Sequence, residues 1–177
     1  FNEAGEIKDT TVYSQNEFAK TYVNVEPRIF MSYIYSKSAS IKGGYARNVQ
    51  NLHLISNTVS TSPTDVWLPT TINVKPEISD QVSLGWFKNF KQNKYEFSSE
   101  IYYKWMQNQI DYRNGANTQA NELLEGELLY GVGRAYGIEF LLKKKTGKFT
   151  GWIGYTLSRT EKKIDQINNN EWYLARQ

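Results

Sequence analysis

His53 is the single histidine of the chain, and it sits in a polar stretch with no nucleophile or ligand at a useful spacing. A histidine-based triad needs the imidazole oriented by an acid and within reach of a hydroxyl or thiol. Ser, His and acidic residues all occur, but no local nucleophile motif accompanies them, so a lipase-like site is not expected. Glu96 and Glu100, four apart, share one face of a strand. Paired carboxylates can hydrolyse glycosides, yet here they read better as lining a wet interior. Cysteine is absent, which removes disulfides, zinc ribbons and thiol catalysis, and no group of His, Asp and Glu has metal-ligand spacing. Lys143, Lys144 and Lys145 with Lys148 form one basic run. It reads as a solvated turn that discourages edge pairing, ahead of a phosphate site. No enzyme, cofactor or metal is therefore expected, and the remaining chemistry is noncovalent. Asn51, His53, Trp67, Tyr112, Arg113 and Asn114 fall in long polar loops and offer stacking faces and hydrogen-bond groups of the kind that hold sugars or chelates. The competing reading is that they only cover a mouth and pack on neighbouring loops. Asp111 beside Arg113 adds little on a solvated loop.

The elements that must position these residues are β-strands. Among 177 residues there are 13 Tyr, 8 Phe and 5 Trp, with Pro limited to 4. Aromatic and β-branched side chains suit pleated, half-buried surfaces. Twenty-one basic against 18 acidic residues leave a formal charge of +3, too small and dispersed for a nucleic-acid footprint. No stretch approaches the roughly 18 consecutive apolar residues of a membrane-spanning helix. A mean hydropathy of −0.61 is compatible with a soluble domain and equally with a membrane barrel, whose strands show lipid only at every second residue.

Period two picks out six strands in three hairpins. The first runs from about Tyr22 to Tyr35 and the second from about Ser40 to Val49, joined near Ser36-Lys37-Ser38. The third, about Asp80 to Phe90, turns through Lys91-Gln92-Asn93 into the fourth, about Lys94 to Tyr112. The fifth, about Gly133 to Lys144, turns through Lys145-Thr146-Gly147 into the sixth, about Lys148 to Lys163. Between hairpins, about Gln50 to Ser79 and Arg113 to Tyr130 are long and polar. Loops of that length are unusual inside a compact domain. Short turns at one rim and long loops at the other describe an outer-membrane barrel.

Tyr95, Phe97, Ile101, Tyr103 and Trp105 share one face of the fourth strand, against Glu96, Ser98, Glu100 and Lys104 on the other. From Tyr95 to Trp105 the strand climbs roughly 25 Å at ~3.3 Å per residue and a tilt of ~40°, the height of a barrel's apolar band. These five residues are the expected lipid contacts. The same division sets Ile29, Met31 and Tyr33 against Arg28 and Ser32, Val82, Leu84 and Trp86 against Ser83 and Gly85, and Ile153, Tyr155 and Leu157 against Gly154, Thr156 and Ser158. Tyr136, Ile138 and Phe140 oppose Gly137 and Glu139, with Leu141 breaking the rule. Strands of a soluble sandwich also alternate. Aromatic residues at the ends of the apolar faces and charges deep in the opposite ones favour the barrel. Six strands cannot close one, because open edges would leave backbone groups unpaired in hydrocarbon. The chain, which opens at Phe1-Asn2-Glu3 and ends at Gln177, is expected to be an excerpt, residues 1–177 being a partial barrel domain without plug, signal peptide or terminal strands.

Several stretches resemble TonB-dependent outer-membrane receptors. Tyr22-Val23-Asn24-Val25-Glu26-Pro27-Arg28 is similar to the strand that opens the C-terminal part of their barrel, and Pro76-Glu77-Ile78-Ser79-Asp80-Gln81-Val82-Ser83-Leu84-Gly85 to a later strand start. Tyr95 to Tyr103 with Asn108-Gln109-Ile110, then Gly133 to Glu139, then Gly151 to Ser158 follow in the family's order and spacing. The closest resemblance is to Bacteroidetes receptors. It implies a 22-stranded barrel with an N-terminal plug in the bacterial outer membrane. It also implies uptake of a scarce nutrient such as an iron chelate, cobalamin or a glycan, driven by the TonB complex through an N-terminal part outside this chain. Implied partners are outer-membrane lipid, the rest of the barrel and plug, and a surface lipoprotein, with no nucleic acid. The other class left open is a soluble all-β binding module, lectin-like, with no transport role.

Overall fold

Alternation decides which side of each strand can be wet, and lateral pairing decides which residues of neighbouring strands share a row. In the computed structural model both are realised in one antiparallel sheet. Residues 7–10, 12–15, 17–55, 66–116 and 123–175 are described. Phe1, Asn2, Glu3 and Gln177, and stretches 56–65 and 117–122 of the two long loops, lie outside them.

The strands are β1 (Arg28–Ser36), β2 (Ala39–Gln50), β3 (Leu52–Ile55), β4 (Val66–Pro69), β5 (Glu77–Phe90), β6 (Tyr95–Tyr112), β7 (Leu128–Lys144), β8 (Gly151–Ile164) and β9 (Tyr173–Leu174). The main sheet has the order β1-β2-β5-β6-β7-β8-β9, and β3 pairs only with β4. The fold is all-β and up-and-down, an open section of barrel wall. Short turns join β1 to β2, β5 to β6 and β7 to β8 at one end, while the connections from β2 to β5 and from β6 to β7 lie at the other.

Register turns the alternation into horizontal rows. Met31, Gly43, Leu84, Ile101, Ile138 and Leu157 are successive cross-strand partners, a row without a polar side chain. On its loop side runs the row Ile29, Tyr45, Val82, Tyr103, Tyr136 and Arg159, and on its turn side Tyr33, Ile41, Trp86, Ser99, Phe140 and Tyr155. The rings touch along and across strands. Tyr103 stacks on Tyr136 with centroids 5.9 Å apart and planes 8° from parallel, and Phe97 meets Trp86 edge-on at 5.8 Å. Such contacts add roughly 0.5–1.5 kcal/mol each beyond burial. Further toward the loops the same face carries Arg47, Asp80, Trp105, Arg134 and Glu161, where Arg47 pairs with Asp80 at 2.8 Å and Arg134 with Glu161 at 2.7 Å.

The opposite face carries the polar residues, Ser32, Lys42, Glu100, Glu139 and Thr156 among them, together with a few rings. Phe30 lies across from Gly44 and Tyr102 from Gly137. A side chain on Gly44 would meet the Phe30 ring at 2.5 Å, and one on Gly137 the Tyr102 ring at 3.0 Å. Each glycine gives a neighbouring ring room to lie down on the backbone.

One irregularity separates wall from mouth. The β6–β7 register shifts between Gln107 and Gln109, where Asn108 takes a left-handed φ of 54° and its amide donates to the Pro76 carbonyl at 2.8 Å. The extra residue inverts the alternation. Beyond it the even-numbered Ile110 and Tyr112, paired with Tyr130 and Leu128, continue the aromatic side, and Gln109 and Asp111 join the polar one. Ile55 of β3 and Val74 pack on Ile110, Tyr112 and Leu128, with Leu68 and Leu124 at the margin. This small cluster holds the first long loop against the sheet.

Boundaries differ from the sequence expectation where a residue outside the alternation intervenes. β1 starts at Arg28 instead of about Tyr22, because Pro27 has no N–H for the ladder and contributes only its carbonyl, which accepts from Arg47 N at 3.0 Å. β5 begins directly after Pro76, and β7 begins five residues early at Leu128, where its partner is Tyr112. β8 starts at Gly151, since Lys148 and Phe149 belong to a turn with Gly147 at φ 117°. The first long loop contains the β3–β4 hairpin, and the second a short 3-10 helix, Leu124–Glu127.

Ile110→Ala removes volume from the centre of the cluster, a change that costs about 2–4 kcal/mol in packed sites. In the full-length protein the expected outcome is faster protease cleavage within the first long loop, with sheet content by circular dichroism unchanged. An unaltered cleavage rate would show that the loop is held by other contacts.

Candidate ligand-binding site

Where the polar face meets the long loops, the ends of β2, β5, β6 and β8 converge with β3 and β9 around a cavity of about 570 Å³. Cross-strand pairing brings Gln50 beside Glu77, and the bulge at Asn108 turns Gln109 and Asp111 to the same side. Lys162 and Tyr173, themselves partners in the β8–β9 ladder, close the far wall, and Asn114 and Asn168 stand at the rim. A second hollow of about 290 Å³ shares Gln50, Glu77 and Gln109 and reaches down the wall to Lys104 and Met106.

The lining is dense in groups that donate and accept hydrogen bonds. Tyr173 Oη donates to Asp111 Oδ2 at 3.2 Å, and Lys162 Nζ donates to the Ile110 carbonyl at 3.4 Å. Burial, reinforced by the negative charge of Asp111, pushes the Tyr173 phenol above its ordinary pKa, so it remains a neutral donor. His53 is only 2% exposed, with Nε2 3.3 Å from Thr70 Oγ1. Its Nδ1 lies 3.7 Å from Glu77 Oε1, beyond hydrogen-bond range, and has no partner among the described residues. A buried ring nitrogen without a partner is costly unless something in the cavity completes it.

Of the loop residues singled out in the sequence, the fold brings His53, Tyr112 and Asn114 to this cavity. Tyr112 contributes mainly as part of the apolar cluster, being 8% exposed. Arg113 is engaged by Glu127, its Nε 3.6 Å from Oε2. Asn51 lies at the corner between β2 and β3, its carbonyl accepting from Thr70 N at 2.8 Å. Trp67 stays 61% exposed on the β3–β4 hairpin, directly across from Leu54, which lines the cavity. Gln50, Glu77, Gln109, Lys162 and Tyr173 carry no local motif in the sequence; cross-strand register, the bulge at Asn108 and the β8–β9 pairing bring them together. Tyr95, Phe97, Ile101, Tyr103 and Trp105 sit together on the aromatic face of β6, away from the cavity.

A clasp between the two long loops backs the site. Glu125 of the 3-10 helix accepts from Thr71 Oγ1 at 2.7 Å and from Asn73 Nδ2 at 2.6 Å, while Thr71 Oγ1 also accepts from Val74 N at 3.1 Å. Tyr22 Oη donates to the Thr71 carbonyl at 2.9 Å. Among the described residues no cluster of three or more His, Cys, Asp or Glu could hold a metal ion.

The model of the family described as TonB dependent receptor-like, beta-barrel matches residues 5–175. No curated protein matches the chain.

Glu125→Ala removes two charge-assisted hydrogen bonds and is expected to loosen the clasp by about 1–3 kcal/mol. Hydrogen exchange on the full-length protein should register this as lost protection at the Val74 and Gly126 amides, with Ile101 and Ile138 in mid-sheet unaffected. Protection retained at Val74 would mean the apolar cluster alone holds the loops.

Proposed function

Because the chain belongs to the family of TonB-dependent receptor-like β-barrels, a family of transport receptors, we propose that it forms part of the wall and mouth of an outer-membrane receptor for active uptake of a scarce nutrient. The reading extends to a Bacteroidetes-type receptor whose residues 1–177 are a partial barrel domain. The rest of the barrel, a plug, the TonB complex and a surface lipoprotein are its partners. Candidate nutrients are an iron chelate, cobalamin or a glycan.

One observation carries the proposal. The aliphatic row Met31, Gly43, Leu84, Ile101, Ile138 and Leu157, flanked on both sides by aromatic rows, has no second layer over it among the described residues. Ile101, Leu84 and Leu157 are about half exposed, Met31 more so. In water such a face is unfavourable by about 25 cal/mol per Å² of apolar surface, whereas in hydrocarbon it costs nothing. An aliphatic and aromatic band on one face, with ion pairs at its loop end, is the distribution that a bilayer selects. Tyr95, Phe97, Ile101, Tyr103 and Trp105 are the proposed lipid contacts of β6. Ionic pairs Arg47–Asp80 and Arg134–Glu161 then lie at the headgroup level on the loop side. The lipid setting also requires continuation of the wall, since a free strand edge in hydrocarbon costs several kcal/mol per unpaired group.

Within this reading the polar face borders the solvated interior, and the loop-end cavity meets ligand arriving from outside. The mouth binds, and transport relies on plug and TonB energy. A soluble lectin-like module would need a second sheet over the aliphatic row, and no described residue supplies one.

Spin labels at Phe97 and Ile101 of the full-length protein in bilayers should be more accessible to oxygen than to a water-soluble nickel chelate, with the reverse at Ser83 and Glu100. Leu84→Arg should lower folding stability by about 2–4 kcal/mol in bilayers. Cooperative folding of the full-length protein in detergent-free buffer, with equal accessibility on both faces, would overturn the proposal.

A further inference from the structure

The cavity where the polar face meets the loops has a composition that selects among ligands. We infer that it is a subsite for a neutral polyhydroxylated ligand, a carbohydrate, with Trp67 as a stacking face beside it; the inference rests on the receptor reading above. Two carboxylates, Glu77 and Asp111, face one ammonium, Lys162, which is turned toward the Ile110 carbonyl. A negatively charged chelate entering this space would meet uncompensated like charge, a built-in penalty against that class. The other polar groups are mainly amides and a phenol, among them Gln50, Gln109, Asn114 and Tyr173. Amides present a donor and an acceptor side by side, matching hydroxyl groups that do both.

The orphan nitrogen gives a second, independent indication. His53 is buried, Nδ1 has no hydrogen-bond partner among the described residues, and Glu77, 3.7 Å from it, also lines the cavity. A ligand hydroxyl can donate to a bare ring nitrogen or accept from a protonated one, so it satisfies His53 in either tautomer. Trp67 provides the third. Leu54 lines the cavity, and Trp67, its cross-strand partner on the same side of the β3–β4 hairpin, remains largely exposed. An exposed indole next to a hydrogen-bonding cavity pairs an apolar face with polar edges, as the C–H and O–H surfaces of a sugar ring require. The volume of about 570 Å³ falls in the range of small-molecule sites.

The test uses the full-length receptor purified in detergent, with an array of neutral oligosaccharides, ferric citrate and cyanocobalamin as probes. Saturable binding of a neutral oligosaccharide is expected, insensitive to added salt and weakened about tenfold by Trp67→Ala, the scale of one aromatic contact. Asn114→Ala should weaken it as well. Binding of ferric citrate or cyanocobalamin with none of the oligosaccharides, no binding of any probe, or oligosaccharide affinity indifferent to Trp67→Ala each overturns the carbohydrate subsite. These results are separable from failure of the receptor reading. A protein that resides in the outer membrane and takes up ferric citrate keeps the transport role and loses the subsite; one that binds oligosaccharide yet is water-soluble without detergent does the opposite.

Discussion

One face of the main sheet is apolar and no described residue covers it with a second layer, and the proposed membrane setting rests on that constraint. In the main sheet the backbone is satisfied sideways, through ladders of up to 17 residue pairs between β6 and β7. Side chains are thereby left free to specialise by face. Period two then suffices to put Leu84, Ile101, Ile138 and Leu157 on one side and Gly85, Glu100, Glu139 and Thr156 on the other. Glu100 and Glu139 are directly opposed, an arrangement that is unfavourable in a dry core. It becomes tolerable only where water or a countercharge is at hand, so the polarity of this face is as informative as the apolarity of the other.

The bulge at Asn108 is the joint between two kinds of structure. Below it, β6 is a wall strand with an apolar, aromatic face and a polar one. Above it, the inverted alternation lets Ile110 and Tyr112 serve as a landing for the first long loop, and sends Gln109 and Asp111 to the cavity. A regular strand would have exchanged the two pairs, turning Gln109 and Asp111 onto the side where Ile110 and Tyr112 meet Ile55 and Val74. One left-handed asparagine, fixed by its hydrogen bond to the Pro76 carbonyl, thus determines the polarity of the site.

The strands and their faces were legible in the sequence because alternation is a local signal, carried strongly by Tyr95 to Trp105 and weakly by Ile41 to Tyr45. Rows were not legible, since they depend on register, and register depends on turns whose lengths change by one or two residues. The Lys145 to Thr150 turn is longer than the three residues its sequence suggested. The hairpin of β3 and β4 was hidden because four-residue strands carry too few repeats, although Leu52 and Leu54 alternating with His53 held the signal. Asn108 sits in the run Gln107-Asn108-Gln109, where asparagine's tolerance of positive φ was the only clue. At the site, the stacking and hydrogen-bonding residues of the long loops were legible, His53 and Asn114 among them, while Glu77, Lys162 and Tyr173 are brought there by register and the short β9 strand, which leave no local signal.

The charged row Arg47, Asp80, Arg134 and Glu161 completes the logic of the aromatic face. Charges on that side are costly unless paired, and each arginine there has its carboxylate, with Arg134 also lying 4.2 Å from the centre of the Trp172 ring. Arg159 reaches the same Glu161 at 2.7 Å. From Asp80 to Phe90, ten residues along β5, the strand climbs roughly 25 Å at ~3.3 Å per residue and ~40° tilt. The pairs therefore stand one apolar-band height above the short turns, with mainly apolar rows between, in which Arg159 and Lys88 are the charged members. Guanidinium groups satisfied in this way can sit in the same row as the ring of Trp105, and they mark the end of the apolar face just below the bulge at which β6 changes register.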